Sequence, residues 1–244
     1  MFEYNKIKIN YIDYGNKKKP AIIFLHGWGQ NIEMIKPIAD PLQDNNRIII
    51  IDLPGFGNSE EPKDVWTLDE YVECLKALVD KLKLKSVSLV GHSFGGKLSI
   101  IYASKYSVDK LVLLGSPYKI SNKTKSLKTR ILKALAKLPG LTKLANMMKS
   151  KIGSTDYKKA SPIMRDILVE HINTDALENA KKIKVPTFII WGDQDTMVSV
   201  NDAYELNNLI KDSGIVVYEG CSHYAYLERL GQTINILKAF FEGK

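Results

Sequence analysis

Six short runs of apolar, mostly β-branched residues set the frame of this chain: "AIIFL" from residue 21, "RIIII" from 47, "VSLV" from 87, "KLVLL" from 110, "TFII" from 187 and "GIVVY" from 214. None of them alternates with polar residues, so each reads as a strand covered on both faces, as inside a parallel sheet. Most of them run into a glycine-bearing turn, and stretches of helical periodicity lie between them. The clearest covers residues 67–84, where Thr67 and Glu70 form a capping pair and Leu68, Tyr71, Val72, Leu75, Leu78, Val79 and Leu82 make an apolar stripe. A weaker helix covers residues 32–42, where Pro37 and Pro41 predict a late start or a kink. Two more fall near residues 203–210 and 232–241, and the first fourteen residues alternate as an edge strand or hairpin does. Strands alternating with helices predict an α/β fold with a mostly parallel, doubly wound sheet. Functional residues should then gather beyond the carboxyl ends of the strands.

The alternation breaks between residues 119 and 182, which contain only helical patterns. The expected organisation is a core domain from residues 1–118 and 183–244 with a helical cap inserted at 119–182. The net charge of +8 resides in that insertion, which holds 15 Lys and Arg against 5 Asp and Glu. With the rest of the chain slightly acidic, no nucleic-acid motif present and few aromatics among the lysines, nucleic-acid binding is not expected. No apolar run approaches the ~20 residues of a membrane helix. The early acid and missing apolar segment of "MFEYNKIKIN" give no secretory signal. Two cysteines, Cys74 and Cys221, make no disulfide framework, and a reducing cytoplasm is the expected location.

Within "VSLVGHSFGGKLSII" the chain turns from strand to helix over about five residues, with Ser93 at the bend. Gly91, Gly95 and Gly96 could serve only to let the backbone turn. The alternative is a bend that pushes a serine oxygen into the open as the nucleophile of G-x-S-x-G. That reading requires a base and an orienting carboxylate. Of four histidines, His26 reads as a brace of its own loop, His92 should diverge from its neighbour Ser93, and His171 lies in the insertion as a surface or cap residue. His223, beyond the last strand, is the candidate base. "WGDQD" offers Asp193 and Asp195 as the acid; either could instead cap the following helix. The order Ser93, Asp195, His223, each past a different strand, is the order of α/β-hydrolases.

The chain resembles the α/β-hydrolase superfamily over nearly its whole length, in its serine esterase-like branch. The residues that carry the likeness are "HGWG" at 26–29, "DLPGFGNS" at 52–59, "GHSFGG" at 91–96, "WGDQD" at 191–195 and "CSHYAYLE" at 221–228. The resemblance selects Asp195 over Asp193 and implies an oxyanion hole made by the backbone N–H groups of Trp28 and Phe94. A serine at position 93 departs from the aspartate expected of dehalogenases and epoxide hydrolases, and neither loop looks like that of proline iminopeptidases. Some likeness to the methyl esterases of pimeloyl-acyl-carrier-protein is also present.

What these residues imply is a serine hydrolase of carboxylic esters or thioesters that works through an acyl-enzyme. No cofactor is implied, and no metal-ligand pattern is present. A hydrolase-like sensor or scaffold with slow turnover, and a perhydrolase, are the alternatives. Leu132, Leu135, Met147 and Met148 of the insertion are candidates to line an acyl pocket. The basic cap could dock an acidic acyl carrier, lie on a membrane surface through residues 127–138, or simply face water.

Overall fold

The computed structural model describes residues 1–120, 157 and 160–243. Its centre is a seven-stranded sheet in the order β3-β5-β4-β6-β7-β8-β9. The strands are β3 (Tyr11–Gly15), β4 (Ala21–Leu25), β5 (Arg47–Ile51), β6 (Val87–His92), β7 (Leu111–Leu114), β8 (Thr187–Gly192) and β9 (Ser213–Tyr218). Only β3 runs antiparallel to its neighbour; every other pairing is parallel. The amino-terminal alternation resolves into both expected forms, a hairpin of β1 (Phe2–Tyr4) and β2 (Ile7–Ile9) followed by the edge strand β3.

The unbroken apolar runs follow from cover on both faces. Ile23 and Leu25 of β4, Ile49 and Ile51 of β5 and Leu89 of β6 point into a core shared with α2 (Leu68–Lys81) and α3 (Phe94–Lys105). Their neighbours Ile22, Phe24, Ile48, Ile50 and Val90 face the opposite way, against α1 (Ile32–Ala39) and the carboxyl-terminal helix. The pleat sends successive side chains to opposite layers, so both must be apolar.

The helices follow their local chemistry. Thr67 Oγ1 accepts from the Glu70 N–H while Glu70 accepts from the Thr67 N–H, and the capping box starts α2 where the sequence places it. In α1 the late start does not occur, because Asn31 caps the Glu33 N–H at 3.1 Å; the prolines act at the other end, where the chain tightens into a 3₁₀ turn, Asp40–Leu42. Ser199 likewise starts the next core helix at Val200, three residues before the expected position.

Within the region expected to form the cap, the described residues form α4 (Pro162–Asn173) and the single turn α5 (Leu177–Ala180). The Ala176 N–H donates to the Tyr118 carbonyl at 2.8 Å, so the chain returns to the core beside the point where it left. Asn179 Nδ2 donates to Ser104 Oγ at 2.7 Å and fixes α5 on α3. Leu132, Leu135, Met147 and Met148, together with residues 127–138, lie outside the described residues. The chain closes with α6 (Val200–Leu209), α7 (Ala225–Glu228) and α8 (Leu230–Glu242). No helix among the described residues is long and apolar enough to cross a membrane.

Candidate active site

Ser93 joins β6 to α3 with φ +50° and ψ −111°, in the left-handed half of φ that a residue with a Cβ rarely adopts. The surroundings impose that strain. The Ser93 N–H donates to the Leu114 carbonyl on β7 at 2.9 Å, and its own carbonyl accepts from the Lys97 N–H at 3.0 Å. Gly91 and Gly95 permit the approach of helix to sheet: a Cβ at 91 would lie 2.6 Å from the Gly95 carbonyl oxygen, and one at 95 would lie 2.6 Å from that of His26. Ser93 is half-buried, and its hydroxyl makes no hydrogen bond among the described residues.

His223 stands in the loop between β9 and α7, and Asp195 in the turn after β8. His223 Nδ1 is 2.7 Å from Asp195 Oδ2, and both side chains are buried. The other carboxylate oxygen, Oδ1, accepts from the backbone N–H groups of Met197 at 2.8 Å and Val198 at 2.9 Å. With Nδ1–H donating to the carboxylate, Nε2 keeps its lone pair and can take a proton. Asp193 does other work, accepting the Gly220 N–H at 2.8 Å and so shaping the turn before His223.

Two observations place His223 near the turn that carries Ser93. Gly115 follows the carbonyl that binds the Ser93 N–H, and a Cβ built on it would be 3.2 Å from His223 Nδ1. His92, next to Ser93, has its ring 4.8 Å from that of His223 and donates from Nε2 to the His223 carbonyl at 3.0 Å. Burial pushes the pKa of His92 down to about 3, so it is a neutral strut that seats the 223 loop. Sequence reasoning gave His92 a structural role but not this partner. His26 is also neutral, lowered to about 4 by burial; it accepts the Leu53 N–H at 3.0 Å and donates to the Gly27 carbonyl at 2.7 Å.

Trp28 follows β4, and its ring packs edge-on against Phe94 at 5.2 Å and Phe56 at 4.9 Å. Phe94 opens α3, so its N–H has no partner within the helix and lies at the positive end of the helix dipole. The loop bearing Trp28 is braced by Gln30, whose Oε1 accepts the Gly27 N–H at 3.0 Å. Asp52 ties it to the "DLPGFGNS" loop by accepting from the Ile32 N–H, the Asn58 N–H and Asn10 Nδ2 at 2.8 to 2.9 Å. A cavity of about 280 Å³ opens here, between Trp28, Gly55, Phe56 and the start of α4 at Ala160, Ser161 and Met164. Phe56 and Met164 were not anticipated as lining; Phe56 was visible in "DLPGFG", whereas Met164 reaches the site only because α4 folds back over it. His171, expected as a surface or cap residue, lies on α4 and is buried rather than at the surface. No cluster of three or more potential metal ligands occurs among the described residues.

The sequence profile described as "alpha/beta hydrolase fold" matches residues 20–149. "AB hydrolase superfamily protein YisY" of Bacillus subtilis is 30% identical, covering 90% of this chain and 90% of its own length. "Monoacylglycerol lipase ABHD6" of Bos taurus is 29% identical over 91% of this chain and 75% of its own length, and "Lipase 1" of Psychrobacter immobilis 25% identical over 96% and 80%. Among solved structures, MGS-M2, an alpha/beta hydrolase enzyme from a deep-sea metagenome library, superposes with a TM-score of 0.80 at 20% identity, covering 99% of this chain and 96% of its own. With more than half of its length matched by the profile and the sheet order just described, this chain belongs to the α/β-hydrolase fold family.

Proposed function

We propose that the protein is a cofactor-free serine hydrolase of carboxylic esters, with Ser93 as nucleophile, His223 as general base and acid, and Asp195 as the carboxylate that orients the ring. The observation that carries this reading is the buried 2.7 Å contact between Asp195 and His223, beside a serine held at a strained strand-to-helix bend. On binding, His223 Nε2 closes on the Ser93 hydroxyl; such contacts are often long before substrate arrives. The serine oxygen attacks the ester carbonyl as Nε2 takes its proton, and the N–H groups of Trp28 and Phe94 receive the oxyanion, each worth about 3 to 4 kcal/mol. His223 returns the proton to the departing alcohol, leaving an acyl-enzyme that water hydrolyses by the same steps in reverse order.

Relatives named as lipases and monoacylglycerol lipases favour a small ester, with the acylglycerols as the class to test first. None of the relatives reported above carries a name that refers to an acyl carrier, so carrier docking is left aside, as is a perhydrolase role. Residues 119–182 act in this reading as a cap that closes the acyl pocket, and Phe56 and Met164 supply part of its apolar wall.

The test uses the whole purified chain with p-nitrophenyl butyrate and a monoacylglycerol. The wild type should turn over repeatedly and be labelled by a fluorophosphonate, and Ser93→Ala should lose both. Hydrolysis that persists in Ser93→Ala sinks the assignment. A single burst of product without further turnover would instead indicate a protein that traps a ligand.

A further inference from the structure

Lys97 lies one turn into α3, directly after the Ser93 bend, and is only 1% exposed. A buried ammonium needs compensation. Among the described residues no carboxylate comes within ion-pairing distance of it; its Nζ instead donates to two backbone carbonyls, of His171 at 2.8 Å and Thr174 at 2.5 Å. Both belong to the carboxyl end of α4, where the last carbonyls lack helical partners and the dipole favours a cation. A core lysine thus caps a helix of the insertion. The carboxylates that favour its charge, Asp175 and Glu170, are engaged elsewhere: Asp175 Oδ1 accepts from the Leu177 N–H at 2.7 Å, and Glu170 Oε1 from Thr174 Oγ1 at 2.9 Å.

The residue whose carbonyl is gripped also touches the candidate oxyanion hole. The His171 ring lies parallel to that of Trp28, at an angle of 6° and 6.2 Å between centroids, and meets Phe94 edge-on at 4.7 Å. It is 8% exposed, and its Nδ1 is buried without a hydrogen-bond partner among the described residues. Burial, with Lys97 nearby, pushes its pKa down to about 3, so the ring is neutral. An orphaned buried nitrogen is a cost that an apolar ring of similar shape would avoid. Among the described residues no hydrogen bond from the imidazole compensates it, and the ring contacts there are with these two aromatic side chains.

We propose that Lys97 and His171 are positioning residues that couple the cap to the oxyanion hole: the ammonium grips the end of α4, the gripped residue presses its ring on Trp28 and Phe94, and their backbone N–H groups are held where the oxyanion forms. The inference rests on the assignment of Trp28 and Phe94 made above. It predicts a dependence on pH. Burial lowers the Lys97 pKa to about 8, against the partial opposition of Asp175 and Glu170, so the charge that strengthens the grip is lost as pH rises through that value.

The measurement is kcat and KM for a p-nitrophenyl ester from pH 6.5 to 10, with melting temperature recorded at each pH. In the wild type kcat should fall on the alkaline side near pH 8 while the protein stays folded. Lys97→Arg, charged throughout, should keep kcat and lose that limb. Lys97→Met and His171→Ala should each lower kcat at pH 7 by about tenfold with KM nearly unchanged, as a small displacement of oxyanion donors would. His171→Phe, which keeps a ring on Trp28, should recover most of the loss. An alkaline limb that is absent from the wild type or persists in Lys97→Arg overturns the proposal, as does a kcat in His171→Ala within twofold of wild type. Should Lys97→Met fail to fold, the arginine profile still decides. Activity surviving in Ser93→Ala would defeat the hydrolase reading itself, whereas an inactive Ser93→Ala with silent seat variants would defeat the seat alone.

Discussion

Replacing Asp195 by asparagine should remove catalysis while sparing the fold, and the hydrogen bonds around the carboxylate say why. Oδ1 is approached by two backbone N–H donors, from Met197 and Val198. An amide placed there must turn its oxygen toward them and its NH₂ toward His223 Nδ1. The ring can meet that NH₂ only by becoming an acceptor at Nδ1, which moves its proton to Nε2, the atom that must take a proton from Ser93. The base is then in the wrong tautomer, and the loss expected from such a change is about 10⁴ in kcat, or about 5 to 6 kcal/mol of transition-state stabilisation. Because each hydrogen-bonding position keeps a partner, the melting temperature should move by only a few degrees. Asp195→Ala is the contrast: it strips Met197 and Val198 of their acceptor and should also cost about 1 to 3 kcal/mol of stability. Steady-state hydrolysis of p-nitrophenyl butyrate gives the catalytic figure, and fluorophosphonate labelling should slow in parallel. Asp195→Asn retaining more than about a tenth of wild-type kcat would refute the tautomer argument, since the handedness of the amide leaves no other route.

Acid sensitivity should begin unusually early. His26, His92 and His171 are held neutral by burial, with pKa values lowered to about 4, 3 and 3. The unfolded chain binds these protons near pH 6.5 and the folded chain does not. The stability they confer is therefore complete above that pH and falls as pH drops toward 4, by up to about 1.4 kcal/mol per unit for each ring. Urea midpoints between pH 7.5 and 5 measure it; a flat profile contradicts it, and His171→Phe should shallow the slope. Separately, Gly95→Ala should cost at least about 3 kcal/mol, or 6 to 12 °C in melting temperature, because the new methyl meets the unyielding carbonyls of Leu25 and His26. A melting temperature within about 2 °C of wild type would contradict so close an approach of helix to sheet.

The sheet was legible because a strand covered on two sides must be apolar on both, and these runs are short, β-branched and bounded by turns, as a buried helix is not. Ser93 and His223 could be singled out as candidates because chain order and strand ends restrict where such residues can stand. Asp195 differs: spacing left it level with Asp193, the resemblance selected it, and the fold gives Asp195 to His223 and Asp193 to Gly220. Lys97 and His171 could not be read in advance, because each is explained by a contact between segments 74 residues apart. In sequence, Lys97 is one of two lysines on a mostly apolar helix and His171 one polar position on an amphipathic one. Of the late start or kink that the two prolines suggest for the helix from residue 32, the late start is ruled out by Asn31, whose capping bond holds the first turn at Ile32.

The hydrogen bond from Ala176 to Tyr118 has a consequence for how such proteins diversify. By pinching the entry and exit of a long excursion together, it makes the excursion a closed loop whose length costs little more as it grows, since closure entropy rises only with the logarithm of residue number. That freedom stops at α4, whose carboxyl end receives the buried Lys97 ammonium and whose Met164 and Ile167 belong to the core. A graft that ends before Ser161 should give a chimera with the host's fold and the donor's appetite.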